Sequence, residues 1–140
     1  MKIEHIGIAV RNLESALRLY RDALGFRLDR IEEVADQGVR VAMLSAGESR
    51  LELLEATRHD SPVAGFIARR GEGVHHICFQ VDDIAAELKK LEEAGIRLVD
   101  RTPRVGAGGR LVAFLHPSAA GGVLIELSQK PGEPPASGLE

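Results

Sequence analysis

The sequence predicts an α+β fold made of two paired β-α-β-β-β modules that form a curved mixed sheet around a cleft. Three observations predict it. An opening pattern occurs twice, as His5-Ile6-Gly7-Ile8-Ala9-Val10-Arg11-Asn12-Leu13 and as His76-Ile77-Cys78-Phe79-Gln80-Val81-Asp82-Asp83-Ile84. Each copy closes on an apolar run around a glutamate, Leu51-Glu52-Leu53-Leu54 and Leu124-Ile125-Glu126-Leu127. Within each copy a period-two stretch gives way to helical spacing and then to further strand-like runs.

The elements follow in order. Lys2–Val10 alternates and is rich in Ile and Val, so it is a strand. Asn12 is a good N-cap, Leu13, Ala16, Leu17, Tyr20 and Leu24 recur at helical spacing, and Gly25 stops the helix. Strands are expected over Arg27–Val34, Val39–Ser45 and Arg50–Ala56, with turns at Gly38 and Ala46–Ser49. Ser61-Pro62 reads as an N-cap followed by a first-turn proline, opening a short helix through Ala68 that ends at Gly71. The second copy gives a strand over Val74–Val81, the cap Asp83, and a helix carrying Ile84, Leu88 and Leu91 with its stop at Gly95. Strands are expected near Arg97–Arg101, Arg110–His116 and Gly122–Ser128. Aligning His5 with His76 pairs Asn12 with Asp83, Leu13 with Ile84 and Leu17 with Leu88, and needs a one-residue adjustment before Gly25 meets Gly95.

The expected organisation is one domain over 1–129, with module one at about 3–58, a linker helix at about 61–70 and module two at about 74–129. Residues 130–140 lack apolar content to bury and are expected to form a flexible tail. A chain of 140 residues can build a core without cross-links, and its single cysteine, Cys78, reads as a small core residue. The net charge of −3 and the scarcity of aromatics argue against a nucleic-acid partner, which wants a basic stripe or stacking platforms. No signal peptide and no membrane span are expected, which points to the cytoplasm.

Period two also decides which residues share a face. His5, Gly7 and Ala9 lie on one side of the first strand, while Ile6, Ile8 and Val10 lie on the side that suits a core. The same parity selects His76, grouped with Cys78 and Gln80, over His75. Glu52 and Glu126 sit mid-strand between branched apolar neighbours, where a lone carboxylate would be costly unless paired or ligating a metal. Taken singly, a strand histidine is more often structural and a strand glutamate more often solvent-facing. Two histidines and two glutamates at equivalent positions of a repeat form a mixed N/O donor set for one divalent metal, so the cleft is expected to bind one. His59 is expected at the surface, and His116 at a turn as a structural hydrogen-bonding group. Glu14, Glu32, Glu87, Glu92 and Glu93 are expected on exposed faces. The Gly106-Ala107-Gly108-Gly109 stretch reads as a turn bordering the mouth of the site, with Arg104 and Arg110 beside it as candidate contacts to a substrate.

Taken together, the paired modules resemble the vicinal oxygen chelate superfamily, and several stretches resemble its methylmalonyl-CoA epimerase branch. They are Glu4–Val10, Gln37-Gly38-Val39, Glu52-Leu53-Leu54-Glu55, Asp60-Ser61-Pro62-Val63-Ala64 and Gly73–Cys78, then Pro103–Gly109, His116-Pro117 and Gly121–Leu127. The resemblance runs from about Ile3 to Gln129. It implies metal ligands at His5, Glu52, His76 and Glu126, with Glu52 and Glu126 also relaying protons. The implied cofactor is one divalent metal ion, cobalt first, with manganese, nickel or zinc also compatible. The implied activity interconverts (2R)- and (2S)-methylmalonyl-CoA by removing and returning the C2 proton through a metal-stabilised enolate, in a homodimer.

The chain departs from the family in one respect. Some members place a separate catalytic glutamate on the preceding strand, where this chain has Val41, so no base is carried over there. The alternatives are a glyoxalase I-type lactoylglutathione lyase and a metal-free binding protein of the bleomycin-resistance type. A ring-cleaving dioxygenase fits less well, since that chemistry wants two histidines and one carboxylate on iron.

Overall fold

A computed structural model describes residues 1–132; the remainder of the expected tail, 133–140, lies outside the described residues. The chain divides into two units, His5–His75 and the residues from His76 on together with Met1–Glu4.

In the unit His5–His75, β1 (Lys2–Ala9, of which His5–Ala9 belong here), β2 (Arg27–Val34), β3 (Val39–Ala46) and β4 (Ser49–Ala56) follow the order β2-β3-β4-β1. The pairs β2/β3 and β3/β4 are antiparallel and β1/β4 is parallel, with Gly7 opposite Glu52 and Met43 opposite the same glutamate. Helix α1 (Leu13–Leu17) starts at Asn12, whose side chain accepts from the Ser15 amide at 2.9 Å. Leu13 and Leu17 are fully buried and pack with Val10, Ala42, Leu44 and Leu53, with Ile8 partly buried against them. Each such leucine contributes about 1.5–3 kcal/mol. The parity read from the sequence is therefore observed, since Ile8 and Val10 face the helix.

The expected helix through Leu24 is not α-helical to its end. From Arg18 to Ala23 it runs as a π-helix, and the Leu24 amide donates to the Leu19 carbonyl, five residues back, at 2.8 Å. A π turn holds one extra residue, so this is where the one-residue mismatch between the repeats is absorbed. The rotation carries Leu24 off the apolar stripe, leaving it 58% exposed. Gly25 follows at φ +84°.

Helix α2 (Pro62–Arg70) begins where expected. Ser61, buried, accepts from the Ala64 amide at 3.1 Å, and Pro62 fills the first turn. The helix ends two residues later than expected, at Arg70, before Gly71.

The second unit repeats the plan. Strands β5 (Gly73–Gln80, here from His76), β6 (Arg104–Val105), β7 (Leu111–Phe114) and β8 (Ile125–Gln129) follow the order β5-β8-β7-β6. Again the first and last strands are parallel, with Cys78 opposite Glu126, and the other pairs are antiparallel. Helix α3 (Ile84–Glu93) is capped by Asp83, which accepts from the Ala86 amide at 3.1 Å. Ile84 and Leu88 pack with Val81, Ala113, Leu115 and Leu127.

One expected strand is corrected. Arg97–Arg101 forms no strand, and Leu98 makes only an isolated bridge to Leu115. Asp100 instead accepts from the Phe114 amide at 2.8 Å, a side-chain bond in place of a ladder bond. The outer strand of this module is the two-residue β6, which sequence reading did not separate from the glycine turn. No helix among the described residues is long and apolar enough to cross a membrane.

Gly38 (φ +64°) approaches its surroundings closely. A Cβ there would lie 2.9 Å from Arg58 Cζ and from Ser61 Cβ, and Arg58 is itself tied to the Ala35 carbonyl at 2.6 Å. Gly38→Ala is expected to cost about 1–3 kcal/mol and lower Tm by roughly 3–10 °C. Gly47 has a similar φ of +68° with nothing within 4 Å, so Gly47→Ala should cost only the backbone term. Equal losses in thermal melts of the two variants would show that the contact with Arg58 and Ser61 does not matter.

Candidate metal centre

Each module brings one histidine and one glutamate together. In the unit His5–His75, His5 on β1 and Glu52 on β4 are 4% and 6% exposed. The imidazole Nδ1 lies 3.4 Å from the carboxylate Oε2. In the second unit, His76 on β5 and Glu126 on β8 are 5% and 7% exposed, and Nε2 lies 3.0 Å from Oε1. The placement is the same in both. The glutamate sits on the strand parallel to the histidine's strand, opposite the residue two beyond the histidine, Gly7 in one case and Cys78 in the other. A period of two carries His5 and Gly7, or His76 and Cys78, to one face. The parallel ladder then brings the glutamate alongside.

The surroundings of the two pairs differ. On β4, Arg50 lies two residues before Glu52 and on the same face. Its Nη2 donates to Glu52 Oε2 at 3.4 Å, while Nη1 lies 3.6 Å from Met43 Sδ. Arg50 was missed in the sequence, although its period-two relation to Glu52 was the available signal. In the second module the equivalent position is Leu124. There the Phe114 and His76 rings pack T-shaped, with centroids 6.0 Å apart at 80°, and the Arg104 guanidinium lies 5.5 Å over the Phe114 ring.

The remaining histidines fall where expected. His75 stacks edge-on against Phe66 at 5.0 Å, and His59 is exposed. The His116 Nδ1 caps a 3-10 turn, accepting from the Ser118 amide at 3.1 Å. Cys78 is fully buried. Glu14, Glu92 and Glu93 are exposed, whereas Glu32 and Glu87 are half-buried, the latter 3.3 Å from Lys90. Val41 is buried and pairs with Leu54, so this strand position offers no carboxylate. The glycine stretch forms a 3-10 turn over Ala107–Gly109, as expected of a turn.

A buried carboxylate facing an imidazole is a poor structural choice, since burying ionised groups costs several kcal/mol unless geometry and further hydrogen bonds compensate. It is a good metal-donor pair: imidazole nitrogen and carboxylate oxygen both bind divalent transition metals. Each module's pair supplies two donors that suit such an ion by type, by proximity and by burial.

The chain is similar to known proteins. Over 130 residues the chain is 39% identical to the ethylmalonyl-CoA/methylmalonyl-CoA epimerase of Cereibacter sphaeroides, covering 91% of this chain and 97% of that one. It is 39% identical over 129 residues to the mitochondrial methylmalonyl-CoA epimerase of Homo sapiens, covering 91% and 73%. Among solved structures, the Streptomyces coelicolor methylmalonyl-CoA epimerase in complex with 2-nitronate-propionyl-CoA superposes with a TM-score of 0.90 at 40% identity, covering 95% and 96%. The family model of the glyoxalase/bleomycin resistance protein/dioxygenase superfamily matches residues 4–114. With that match over most of its length and these relatives over nearly all of it, the chain belongs to the glyoxalase/bleomycin resistance protein/dioxygenase superfamily.

Proposed function

We propose that this chain is a methylmalonyl-CoA epimerase in which His5, Glu52, His76 and Glu126 hold one divalent metal ion. The observation that carries the reading is the buried His–Glu pair repeated at the same register in both modules. It is joined by the relatives in which that activity is named. Cobalt is our first choice of ion, with manganese, nickel and zinc compatible with the same donors. We place the enzyme in the cytoplasm as a homodimer.

Epimerisation needs a proton removed from C2 and another delivered to the opposite face. The neighbouring thioester acidifies that proton, and the free carboxylate opposes charge building up beside it. A bound divalent ion supplies Lewis acidity and positive charge to the oxygens of the substrate. The chain supplies the proton carriers. Glu52 and Glu126, one per module, take the two faces of C2 in this reading, each serving as ligand and as relay. One carboxylate accepts the proton while the other, protonated, returns one. Arg50, on the same oxygen of Glu52 as His5, orients that carboxylate. The burial of both pairs keeps bulk water off C2, so that solvent deuterium reaches it through the two carboxylates.

A correctly placed general base contributes about 10²–10⁴ in rate. Glu126→Gln and Glu52→Gln are each expected to slow C2 deuterium exchange by about that factor, with opposite preference for the two epimers. If both variants exchange normally with metal bound, the bases lie elsewhere, and the exposed Glu33 and Glu48 become the candidates.

Removing the metal with a chelator is expected to abolish turnover on (2R)- or (2S)-methylmalonyl-CoA, and adding back cobalt to restore it, with one ion per chain by elemental analysis. Turnover of a glutathione hemithioacetal without turnover of methylmalonyl-CoA would replace this reading with the lyase. Full affinity for a ligand with no bound metal would favour a binding protein.

A further inference from the structure

We infer that Gln80, Arg110 and Ser128 form an anion subsite on the second module's His76–Glu126 face, built to take a negatively charged oxygen of the acyl-CoA substrate. The identity of the substrate rests on the epimerase reading; the subsite itself rests on the second module alone. Successive same-face rungs of the β5/β8 ladder are Cys78 opposite Glu126 and Gln80 opposite Ser128. On the other side of β8, Phe114 faces Glu126 and Val112 faces Ser128. The subsite therefore lies two residues, about 6–7 Å, along the strand from the His–Glu pair.

Arg110 precedes β7 with the parity of Val112 and Phe114, and its Nη2 donates to Gln80 Oε1 at 2.8 Å. Because β8 separates β7 from β5, the guanidinium reaches across β8 to Gln80, whose partner on β8 is Ser128. Ser128 is fully buried there. Its Oγ has no hydrogen-bond partner, and neither has Arg110 Nε; among the described residues these are the two buried side-chain atoms so placed.

Buried donors are normally satisfied, and two orphans, the hydroxyl of the residue opposite Gln80 and the Nε of the arginine bonded to Gln80, need an explanation. The fold does not require them. At the equivalent positions of the first module stand Ala9, Leu54 and Val39, all buried and apolar. Arg110 moreover has neutral Gln80 as its partner and makes no ion pair among the described residues. A hydroxyl and a guanidinium N–H that both lack an acceptor, on or beside a cation that makes no ion pair, suit a carboxylate or a phosphate oxygen. A methylmalonyl-CoA molecule carries both.

The test is calorimetric binding to the metal-loaded protein of three ligands: methylmalonyl-CoA at its epimeric equilibrium, methylmalonyl-pantetheine, which keeps the carboxylate and lacks phosphate, and propionyl-CoA, which keeps phosphate and lacks the carboxylate. Arg110→Met should weaken methylmalonyl-CoA at least tenfold, Ser128→Ala about threefold to tenfold, and Arg110→Lys should recover much of the loss. The same loss on methylmalonyl-pantetheine alone assigns the oxygen to the carboxylate; on propionyl-CoA alone, to a phosphate. Unchanged affinity for all three ligands, or an equal loss on all three, overturns the subsite.

Ligand-free melting gives a second readout. Removing an unpartnered buried hydroxyl should leave the Tm of Ser128→Ala unchanged or raised by a few degrees. A fall of several degrees would mean that the hydroxyl serves the fold and would also overturn the inference. Wild-type protein that binds methylmalonyl-CoA with these sensitivities and shows no C2 exchange would sink the epimerase reading while leaving the subsite standing.

Discussion

The cost of keeping a carboxylate inside a sheet constrains more of this molecule than any other interaction. Glu52 and Glu126 are each within a few per cent of full burial, in strands whose leucines pack into apolar cores. Such a position is tolerable only beside a compensating group. Each module supplies a histidine by the same device, a parallel pairing of its first and last strands that sets the imidazole's face alongside the carboxylate. The parallel pairing needs a crossover connection, and the capped helices α1 and α3 with the strands after them provide it. Helix, cap and core thus serve the placement of one nitrogen beside one oxygen.

Most of this was legible in the sequence because it depends on local rules that the repeat states twice. Asn12 and Asp83 cap as expected because a short acceptor side chain before an apolar helical stripe has few other uses. The choice of His76 over His75 followed from strand parity alone, and His75 packs instead against Phe66. What escaped was non-local or irregular. The π turn at Arg18–Ala23 left its trace as a one-residue mismatch, but only the backbone bond from Leu24 to Leu19 says how the extra residue is stored. The segment Arg97–Arg101 has strand-like composition, yet the Asp100 carboxylate takes the amide of Phe114 and the ladder gives way. Arg50 and Ser128 drew no notice, because an arginine or a serine in a strand carries no signal until its neighbours across the ladder are known.

The modules agree where they place the His–Glu pairs and disagree around them. Glu52 shares an oxygen between His5 and Arg50, whereas Glu126 meets His76 with Leu124 at the position of the arginine. One rung further on, the first module is closed by Ala9 and Leu54, and the second carries Gln80 and Ser128 under Arg110. Divergence concentrated beside a preserved pair is what a duplicated scaffold shows when its copies keep a shared task and take up separate ones.

A proton-transfer reaction at a stereocentre gives that division a chemical reason. Around C2 the task is nearly symmetric, since a proton leaves one face and arrives at the other. The rest of a coenzyme A thioester has no such symmetry, with its carboxylate, thioester and phosphates all extending away from C2. A site that was symmetric throughout could not distinguish which end of the substrate lay where. Polar groups confined to one module break the symmetry without disturbing its His–Glu pair. The unpartnered Ser128 hydroxyl and Arg110 N–H then stand where an asymmetric ligand would be read, at a stability cost that the apolar first module does not bear.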